Sequence, residues 1–320
     1  MALPLRPPIE PQLARPGKEL PIGEQWSYEP KFDGFRAVAF VDGDELVLQS
    51  RGSKPLGRYF PELRFPPGRY VLDGEIVIDS DDGQQDFGAL QQRIHPAASR
   101  IALLAQQTPA RYVAFDLLAR DDESLLKLSF GERRAALEQL ADHADFASTG
   151  VSLTPLTTDP GATAPWLRDG EGVVAKDRGA PYRPGERRGM VKVKRVRTID
   201  AVIAGWRPGK EAGTVGSLIL GLYDDGGELR IVGHSSGLSA REKRELVARL
   251  APYETGERGS GDPSRWQSER ELEWIALRPE LVVEITFDHA SGGRIRHGTR
   301  IVRWREDKAP TDCALQQMKS

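Results

Sequence analysis

Residues 26–52 read WSYEPKFDGFRAVAFVDGDELVLQSRG, and their pattern predicts a β-hairpin. Apolar residues alternate with others across Phe35–Phe40 and again across Leu46–Gln49, which is the spacing of half-buried strands. Asp42-Gly43-Asp44 lies between the two runs and is a turn signal. We therefore expect two antiparallel strands here, placed directly after the charged segment Glu29–Arg36.

The chain around this hairpin mixes strands with helices and has no regular βαβ repeat. Tyr70–Ile78 reads as a strand that is interrupted at Asp73-Gly74, and Arg111–Leu117 reads as another. Phe87–Leu104 and Phe130–Leu140 have helical spacing. This mixture predicts the α+β class, built on antiparallel sheet.

Beyond about Val196 the pattern changes to short strands separated by glycine-rich turns, with one inserted helix at Ala240–Leu250. Such a pattern is typical of a small barrel of the OB-fold type. We predict two domains, 1–196 and 197–320. The strands expected in the second domain are Ala201–Trp206, Ser217–Tyr223, Glu228–Gly233, Leu281–Phe287 and Arg300–Trp304.

Composition excludes several classes of protein. No apolar run approaches the ~20 residues that span a bilayer, and the N-terminal stretch is not a secretory signal. We therefore expect a cytoplasmic protein with no membrane partner. Cys313 is the single cysteine, which excludes an internal disulfide and a zinc site of several thiolates. The net charge of −2 does not favour nucleic acid, but basic runs at Arg187–Arg197 and Arg294–Arg305 could contact phosphates locally.

The segment EPKFDGFR, residues 29–36, carries the strongest chemical signal. A lysine is nucleophilic only as the neutral amine, which nearby cations such as Arg36 would favour around Lys31. Gly34 would permit a close backbone approach or an unusual backbone conformation beside it. A surface lysine next to a turn is the ordinary alternative, so this segment alone does not decide the function.

Further charged and aromatic groups follow in a fixed order along the chain. Each one alone has an ordinary structural explanation, such as a turn, a core aromatic residue or an exposed strand face. Together they make coincidence a poor explanation. They are Ser50-Arg51-Gly52, Asp73-Gly74-Glu75, Phe115-Asp116 at the end of a strand, Glu171–Lys176 (EGVVAK), Lys192-Val193-Lys194 and Arg305–Lys308 (REDK).

This order resembles the covalent nucleotidyltransferase superfamily of DNA ligases, RNA ligases and mRNA-capping enzymes. It is most similar to small bacterial ATP-dependent DNA ligases. The resemblance covers almost the whole chain and includes RPELVVE at Arg278–Glu284 and RWREDKAPTDC at Arg303–Cys313. It implies a nucleotidyltransferase domain of ATP-grasp-like antiparallel sheets followed by an OB-fold domain.

The resemblance also implies which residues bind the nucleotide. Lys31 would carry AMP, and Lys192 and Lys194 would hold the α-phosphate of ATP. The remaining contacts would be Glu29 to the adenine edge, Phe115 stacked on adenine, and Arg36 and Glu75 to the ribose.

Other roles concern metal, pyrophosphate and DNA. Glu171, with Glu75, would bind Mg²⁺ or Mn²⁺, and Arg51 would meet the 5′-phosphate of the nick. The motif Arg305, Asp307 and Lys308 would orient pyrophosphate during self-adenylylation. Further candidates for the DNA face are His289, Arg294, Arg296 and His297.

The implied function is sealing of nicked duplex DNA by a monomeric repair ligase, with repair proteins as possible partners. An RNA ligase or a capping-type transferase remains the nearest alternative, and a non-catalytic OB-type DNA-binding protein is an alternative of another class. The chain is too short for an NAD-dependent ligase and lacks its zinc-finger cysteines. It departs from the family in two places: only Pro160–Gly170 precedes Glu171, where relatives have a longer segment, and Met190 replaces an aromatic residue.

Overall fold

The fold was analysed on a computed structural model of the chain. The structure describes residues 3–80, 83–259, 273–287, 289–291, 293–297 and 299–319. The chain divides into two compact units, Met1–Arg195 and Val196–Ser320. Within the described ranges, no helix combines the length and the apolar character needed to cross a membrane.

The first unit contains two mainly antiparallel sheets. One has the strand order β4-β3-β5-β6-β7, with β8 beside β6, and the other has the order β1-β10-β9-β2. Strands of the first sheet are β3 (Phe35–Gly43), β4 (Glu45–Ser50), β5 (Gly68–Val77), β6 (Arg111–Arg120), β7 (Glu123–Ser124) and β8 (Val151–Leu153). Strands of the second are β1 (Arg15–Pro16), β2 (Trp26–Pro30), β9 (Gly172–Asp177) and β10 (Met190–Lys194).

The helices of the first unit lie around these sheets. They are α1 (Phe87–Gln92), α2 (Ala98–Gln107), α3 (Phe130–His143) and α4 (Ala164–Arg168). A capping box starts α3, because Ser129 and Glu132 satisfy each other's backbone N–H groups. Leu137 of α3 is fully buried in a core that also contains Leu72 of β5 and Tyr112 of β6.

The structure confirms the predicted hairpin, since β3 pairs antiparallel with β4 from Ala37 opposite Ser50 to Asp42 opposite Glu45. It corrects the predicted interruption at Asp73-Gly74. Strand β5 runs through this point, and a shift in its register with β6 absorbs the irregularity.

Three other predictions differ from the structure. The helix expected over Phe87–Leu104 is two helices, because Pro96 lies between them and cannot donate a backbone hydrogen bond. Strand β6 continues to Arg120, so Phe115-Asp116 lies within the strand rather than at its end. The segment before Glu171 holds a 3-10 turn, Gly161–Thr163, followed by the short helix α4.

The second unit is built around one long strand. Strand β11 has 12 residues and pairs with β12, β15 and β16 at different parts of its length, with register shifts that bend it. Its described strands are β11 (Arg197–Pro208), β12 (Val215–Tyr223), β13 (Leu229–Ser235), β14 (Glu254–Gly259), β15 (Trp274–Leu277), β16 (Val282–Phe287), β17 (His289–Ser291), β18 (Arg294–His297) and β19 (Arg300–Trp304).

This curved sheet closes over an apolar core and one helix. Helix α5 (Ala240–Leu250) has the predicted bounds and packs Leu246 and Leu250 against the core. The free thiol of Cys313 is buried in the same core. Strand β16 joins β11 to β19, which gives the partly open barrel that the sequence predicted.

Candidate active site

A cavity of about 270 Å³ lies in the first unit and is lined by residues from both of its sheets. Most of the nucleotide-binding residues predicted from the sequence meet here. Those that line it are Glu29, Lys31, Arg36, Arg51, Glu75, Phe115 and Lys192. Its wall also includes Leu13, Ala14, Pro30, Phe32, Asp33, Gly34, Val174, Lys176, Arg187 and Met190.

Lys31 follows the last residue of β2 and is held beside β9. Its backbone N–H donates to the Gly172 carbonyl at 2.9 Å, and its Nζ donates to the Phe32 carbonyl at 3.1 Å. Pro30 is paired with Val173 in the same register. The pairing of these two strands therefore places the KxDGxR and EGVVAK motifs side by side.

Gly34 is required because another strand crosses very close to it. A Cβ atom at this position would lie 2.3 Å from the Ile76 carbonyl oxygen and 2.7 Å from Glu75 Cγ. Both atoms belong to β5, so any side chain would push that strand and Glu75 away from the cavity. The close approach foreseen from the sequence therefore accounts for this glycine.

Gly172 has a different constraint. Its φ of +128° lies in the region that favours glycine, and a Cβ would meet the Val193 carbonyl at 2.2 Å. This conformation occurs where Gly172 accepts the hydrogen bond from the Lys31 backbone. The glycine therefore permits both the tight packing against β10 and the seating of Lys31.

At one end of the cavity a buried carboxylate is paired with two cations. Glu29 is 3% exposed, and Lys176 Nζ lies 2.7 Å from its Oε2. Arg134 Nη1 lies 3.6 Å from Glu29 Oε1. Burial raises the pKa of Glu29, and the neighbouring Lys176 opposes that shift. Among the described residues, Glu29 Oε1 has no hydrogen-bond donor.

Phe115 lies next to this pair and next to Arg36. Lys176 Nζ is 4.7 Å from the centre of the Phe115 ring and donates to its carbonyl at 3.0 Å. The guanidinium carbon of Arg36 is also 4.7 Å from the ring centre. The ring is therefore fixed by cations from β9 and β3, as cation–π contacts favour.

Arg36 is anchored by a buried carboxylate. It donates to both oxygens of Asp73, at 2.7 and 2.6 Å, and to the Gln12 carbonyl at 3.1 Å. Tyr182 also donates its hydroxyl to Asp73, at 2.6 Å. Burial lowers the pKa of Arg36, but the ion pair with Asp73 outweighs it, so the net shift of the pKa is upward. The guanidinium therefore remains charged and its orientation is fixed.

The other end of the cavity is crowded with cations. Burial and the charges of Lys194, Lys31, Arg51 and Arg187 lower the pKa of Lys192. Within the described ranges, no carboxylate lies in ion-pairing distance of Lys192 or Arg51. Lys194 is exposed, and it lies two residues from Lys192 on β10, so both side chains leave the same face of the strand.

Two carboxylates of the first unit, Glu75 and Glu171, were predicted to bind a divalent cation. Glu75 lines the cavity, and burial raises its pKa to about 7, against the opposing charges of Arg36 and Lys31. Glu171 directly precedes β9 and its carbonyl accepts from the Arg195 backbone at 3.2 Å, but it is not part of the cavity wall.

In the part of the chain that the structure describes, no cluster of three or more His, Cys, Asp or Glu side chains could cage a metal alone. Mg²⁺ commonly uses one or two carboxylates together with substrate phosphates. The residues present fit that kind of site.

The predicted pyrophosphate motif belongs to the second unit. Arg305 donates to both oxygens of Asp307 at 2.9 Å, and it pairs with Asp200 at 2.9 Å. These hydrogen bonds lower the pKa of Asp307 to about 2. The Lys308 backbone N–H donates to the Arg305 carbonyl at 3.4 Å.

Of the residues predicted for the DNA face, the side chains of His289, Arg296 and His297 lie outside what the structure describes. Arg294 is exposed at the start of β18.

Sequence reasoning missed the buried residues that support the site, above all Lys176, Asp73 and Arg134. Lys176 belongs to the EGVVAK motif, but the sequence predicted no role for it. It lies two residues after Val174 on β9, so both side chains leave the same face of the strand and line the cavity. That spacing was the signal that could have identified Lys176. Asp73 stood in the Asp73-Gly74-Glu75 motif without a predicted role, and Arg134 carries no local signal. The partners of both come from distant parts of the chain.

Comparison with known proteins gives consistent matches. The family described as the ATP dependent DNA ligase domain matches residues 11–194, and that described as the ATP dependent DNA ligase C terminal region matches residues 211–308. DNA ligase C1 of Mycolicibacterium smegmatis is 45% identical over 99% of this chain and 96% of its own length.

Two further matches involve DNA ligase D. A multifunctional non-homologous end joining DNA repair protein LigD of Mycobacterium tuberculosis is 32% identical over 95% of this chain and 39% of that longer protein. The solved structure of a mycobacterial DNA ligase D complexed with ATP has a TM-score of 0.53 and 32% identity, covering 96% of this chain and 98% of that one.

Proposed function

Because the chain belongs to the family of ATP-dependent DNA ligases, we propose that it seals nicks in duplex DNA by carrying AMP on Lys31. The observation that supports this most directly is the position of Lys31. It lies in a cavity between a compensated charge cluster at Glu29 and the cation-rich end at Lys192. A nucleotide offers a neutral base and negative phosphates, which match those two ends.

The base of ATP would occupy the end near Glu29 and Phe115. Glu29 Oε1 is buried without a hydrogen-bond donor among the described residues, so it can accept from the exocyclic amino group of adenine. Phe115 offers an aromatic surface for stacking. Arg36, held by Asp73, and Glu75 would contact the ribose between the two ends.

In the first step the Lys31 amine attacks the α-phosphorus of ATP. A phosphoramide bond forms, the bond to pyrophosphate breaks, and the lysine proton is released. Lys192 and Lys194 would neutralise the α-phosphate, because charge stabilisation dominates phosphoryl-type transfer. Arg305, Asp307 and Lys308 would orient the departing pyrophosphate.

In the second step AMP passes from Lys31 to the 5′-phosphate of the nick, which Arg51 would meet. In the third step the 3′-hydroxyl attacks that phosphate, the phosphodiester forms and AMP leaves. Glu171 and Glu75 would hold Mg²⁺ or Mn²⁺, which supplies positive charge to the phosphates when bound. The protein would contact the DNA backbone without reading its sequence.

The test is transfer of label from α-labelled ATP to the protein, followed by a chase with nicked duplex DNA. We expect label on the wild type and on Lys127→Ala, a control at an exposed lysine outside the cavity. We expect none on Lys31→Ala, and loss of the label as the nick is sealed. Sealing by Lys31→Ala from ATP would overturn the lysyl-AMP mechanism.

We further propose that the ligase acts in DNA repair as a monomer, with repair proteins as possible partners. The similarity to a protein named for non-homologous end joining supports the repair role. Deleting the gene should sensitise its host to DNA breaks. Unchanged survival after such damage would argue against this role, and sedimentation would test the monomer.

A further inference from the structure

The N-terminal segment Glu10–Gly17, here called the strap, connects the two sheets that enclose the nucleotide cavity. The Gln12 carbonyl accepts from Arg36 on β3, at 3.1 Å. The Gly17 N–H donates to the Lys192 carbonyl on β10, at 2.9 Å. Between these points Arg15–Pro16 pairs in parallel with β10. The strap therefore connects Arg36, which is proposed to contact the ribose, with Lys192, which is proposed to hold the α-phosphate.

Gln12 anchors the strap. It is 2% exposed, and its backbone N–H donates to the Tyr182 hydroxyl at 3.0 Å. Its side-chain Oε1 accepts from the Arg183 backbone at 3.3 Å, and its Nε2 donates to the Arg188 carbonyl. Since its carbonyl accepts from Arg36, both its backbone and its side chain make hydrogen bonds to neighbouring segments.

A second path leads from Gln12 to Arg36. Tyr182, which accepts from the Gln12 backbone, donates to the buried Asp73 at 2.6 Å. Asp73 in turn accepts both hydrogen bonds that orient the Arg36 guanidinium. Gln12, Tyr182, Asp73 and Arg36 thus form a closed ring of hydrogen bonds. A displacement of Gln12 would move Arg36 both directly and through Asp73.

We propose that Gln12 is a positioning residue that, through this ring, sets Arg36 for recognition of the ribose of ATP. The inference rests on the proposed contact between Arg36 and the ribose. Removing the Gln12 side chain removes its hydrogen bonds to the Arg183 N–H and the Arg188 carbonyl, which hold the strap in place, so we expect the strap to shift. Arg36 then loses its alignment, although none of its own atoms has been changed.

A merely structural role would lower stability without altering which nucleotide is preferred. Discrimination between ATP and its 2′-deoxy and 3′-deoxy analogues separates the two possibilities, because only the ribose contact responds to the missing hydroxyl. If Gln12 positions Arg36, then substituting Gln12 and removing the hydroxyl are coupled. Their effects will not multiply as independent changes would.

The experiment measures kcat/KM of self-adenylylation with ATP and both analogues for the wild type, Gln12→Ala and Tyr182→Phe. Tyr182→Phe keeps the aromatic side chain but removes the hydroxyl that links Gln12 to Asp73. The test therefore survives if Gln12→Ala folds poorly. Gln49→Ala is the matched control. Gln49 is also a buried glutamine. Its side-chain amide accepts from the Ile9 N–H and donates to the Ile9 carbonyl, and none of its hydrogen bonds goes to Arg36.

We expect the wild type to prefer ATP over at least one analogue. In Gln12→Ala and Tyr182→Phe that preference should shrink by about five-fold, within the range of coupling seen between contacting groups. Gln49→Ala should keep the full preference even if its melting temperature falls as far.

An unchanged preference in Gln12→Ala and Tyr182→Phe, or an equal loss in Gln49→Ala, would overturn the inference. Equal use of ATP and both analogues by the wild type would instead overturn the ribose contact on which it rests. The labelling of Lys31 would be unaffected by that result, so the two failures can be told apart.

Discussion

The two ends of the nucleotide cavity treat charge in opposite ways. At the base end, the buried Glu29 carboxylate is balanced by Lys176 at 2.7 Å and Arg134 at 3.6 Å. At the phosphate end, the pKa of Lys192 is lowered by burial and by surrounding cations. Within the described ranges no carboxylate pairs with Lys192. The charge at the first end is balanced before a nucleotide arrives, whereas the second end needs an anion to balance its charge.

This difference indicates what each end contributes. A neutral base gives little electrostatic attraction, so its pocket must be rigid and its polar groups already placed. The phosphates and the transition state supply negative charge themselves, so the cations there gain most when the charge develops. In the proposed mechanism, binding orientation and catalysis would therefore be separated along the cavity, and the two ends should respond differently to substitution.

The largest expected effect is on stability, from breaking the buried pair at the base end. Lys176→Met leaves the Glu29 carboxylate buried with only Arg134 at 3.6 Å. The free energy of unfolding should fall by about 3–5 kcal/mol, as for other buried pairs that lose one partner. Urea unfolding measures it. The double variant Lys176→Met/Glu29→Leu should recover most of the loss, and a fall below 1 kcal/mol in the single variant, on the scale of an exposed pair, would contradict the pairing.

At the phosphate end the effect should fall on rate instead. Lys192→Ala should slow self-adenylylation by about 100-fold, the usual cost of removing one charge-stabilising donor. Its melting temperature should not fall, because an uncompensated cation is removed. Single-turnover labelling and thermal unfolding measure the two quantities, with Lys127→Ala as the control. A destabilised Lys192→Ala would show that the two ends do not differ as described.

Glu75, between the two ends, should give a pH dependence. Burial raises its pKa from 4.5 to about 7, so the folded chain keeps a proton that the unfolded chain loses between those values. Stability should therefore decline as pH rises from about 4.5 to 7, by about 3 kcal/mol, and then level off. Glu75→Gln should lack this decline when unfolding of the wild type and of the variant is measured in the presence of EDTA. Parallel curves for the two proteins would refute the raised pKa.

The smallest effect concerns ligands that fill one end only. Tripolyphosphate at ten times its dissociation constant should stabilise the wild type by about 1.4 kcal/mol and should have almost no effect on Lys192→Ala. Adenosine should stabilise both proteins equally, since it binds the base end. Thermal unfolding with each ligand measures this, and an equal response of Lys192→Ala to tripolyphosphate would show that the phosphate end does not depend on this lysine.

Much of the fold could be predicted because its signals are local. Alternation in Phe35–Phe40 predicted β3, and the bounds of Ala240–Leu250 and Arg300–Trp304 were predicted as observed. The errors occurred where context overrode a local pattern. Strand β5 continues through Asp73-Gly74 because its pairing with β6 changes register at this point. Such a register shift depends on both strands, so neither strand's sequence predicts it alone.

The order of charged motifs, from Lys31 to Lys308, was enough to predict the family and the chemistry of a lysine nucleophile. Those residues are recognisable because the proposed reaction would use their side chains directly. The sequence predicted no role for the residues that support the site. Asp73, Arg134 and Lys176 became visible only when strands far apart in the chain were placed side by side.

By itself, then, the sequence determined that this protein is a two-domain α+β DNA ligase, and it predicted Lys31 as the nucleophile that the proposed mechanism uses. The tertiary structure alone decided which charges are compensated and which are left for the substrate. The physical reason is that burial and pairing depend on neighbours, and the neighbours of Glu29, Lys176 and Lys192 come from different strands and different sheets.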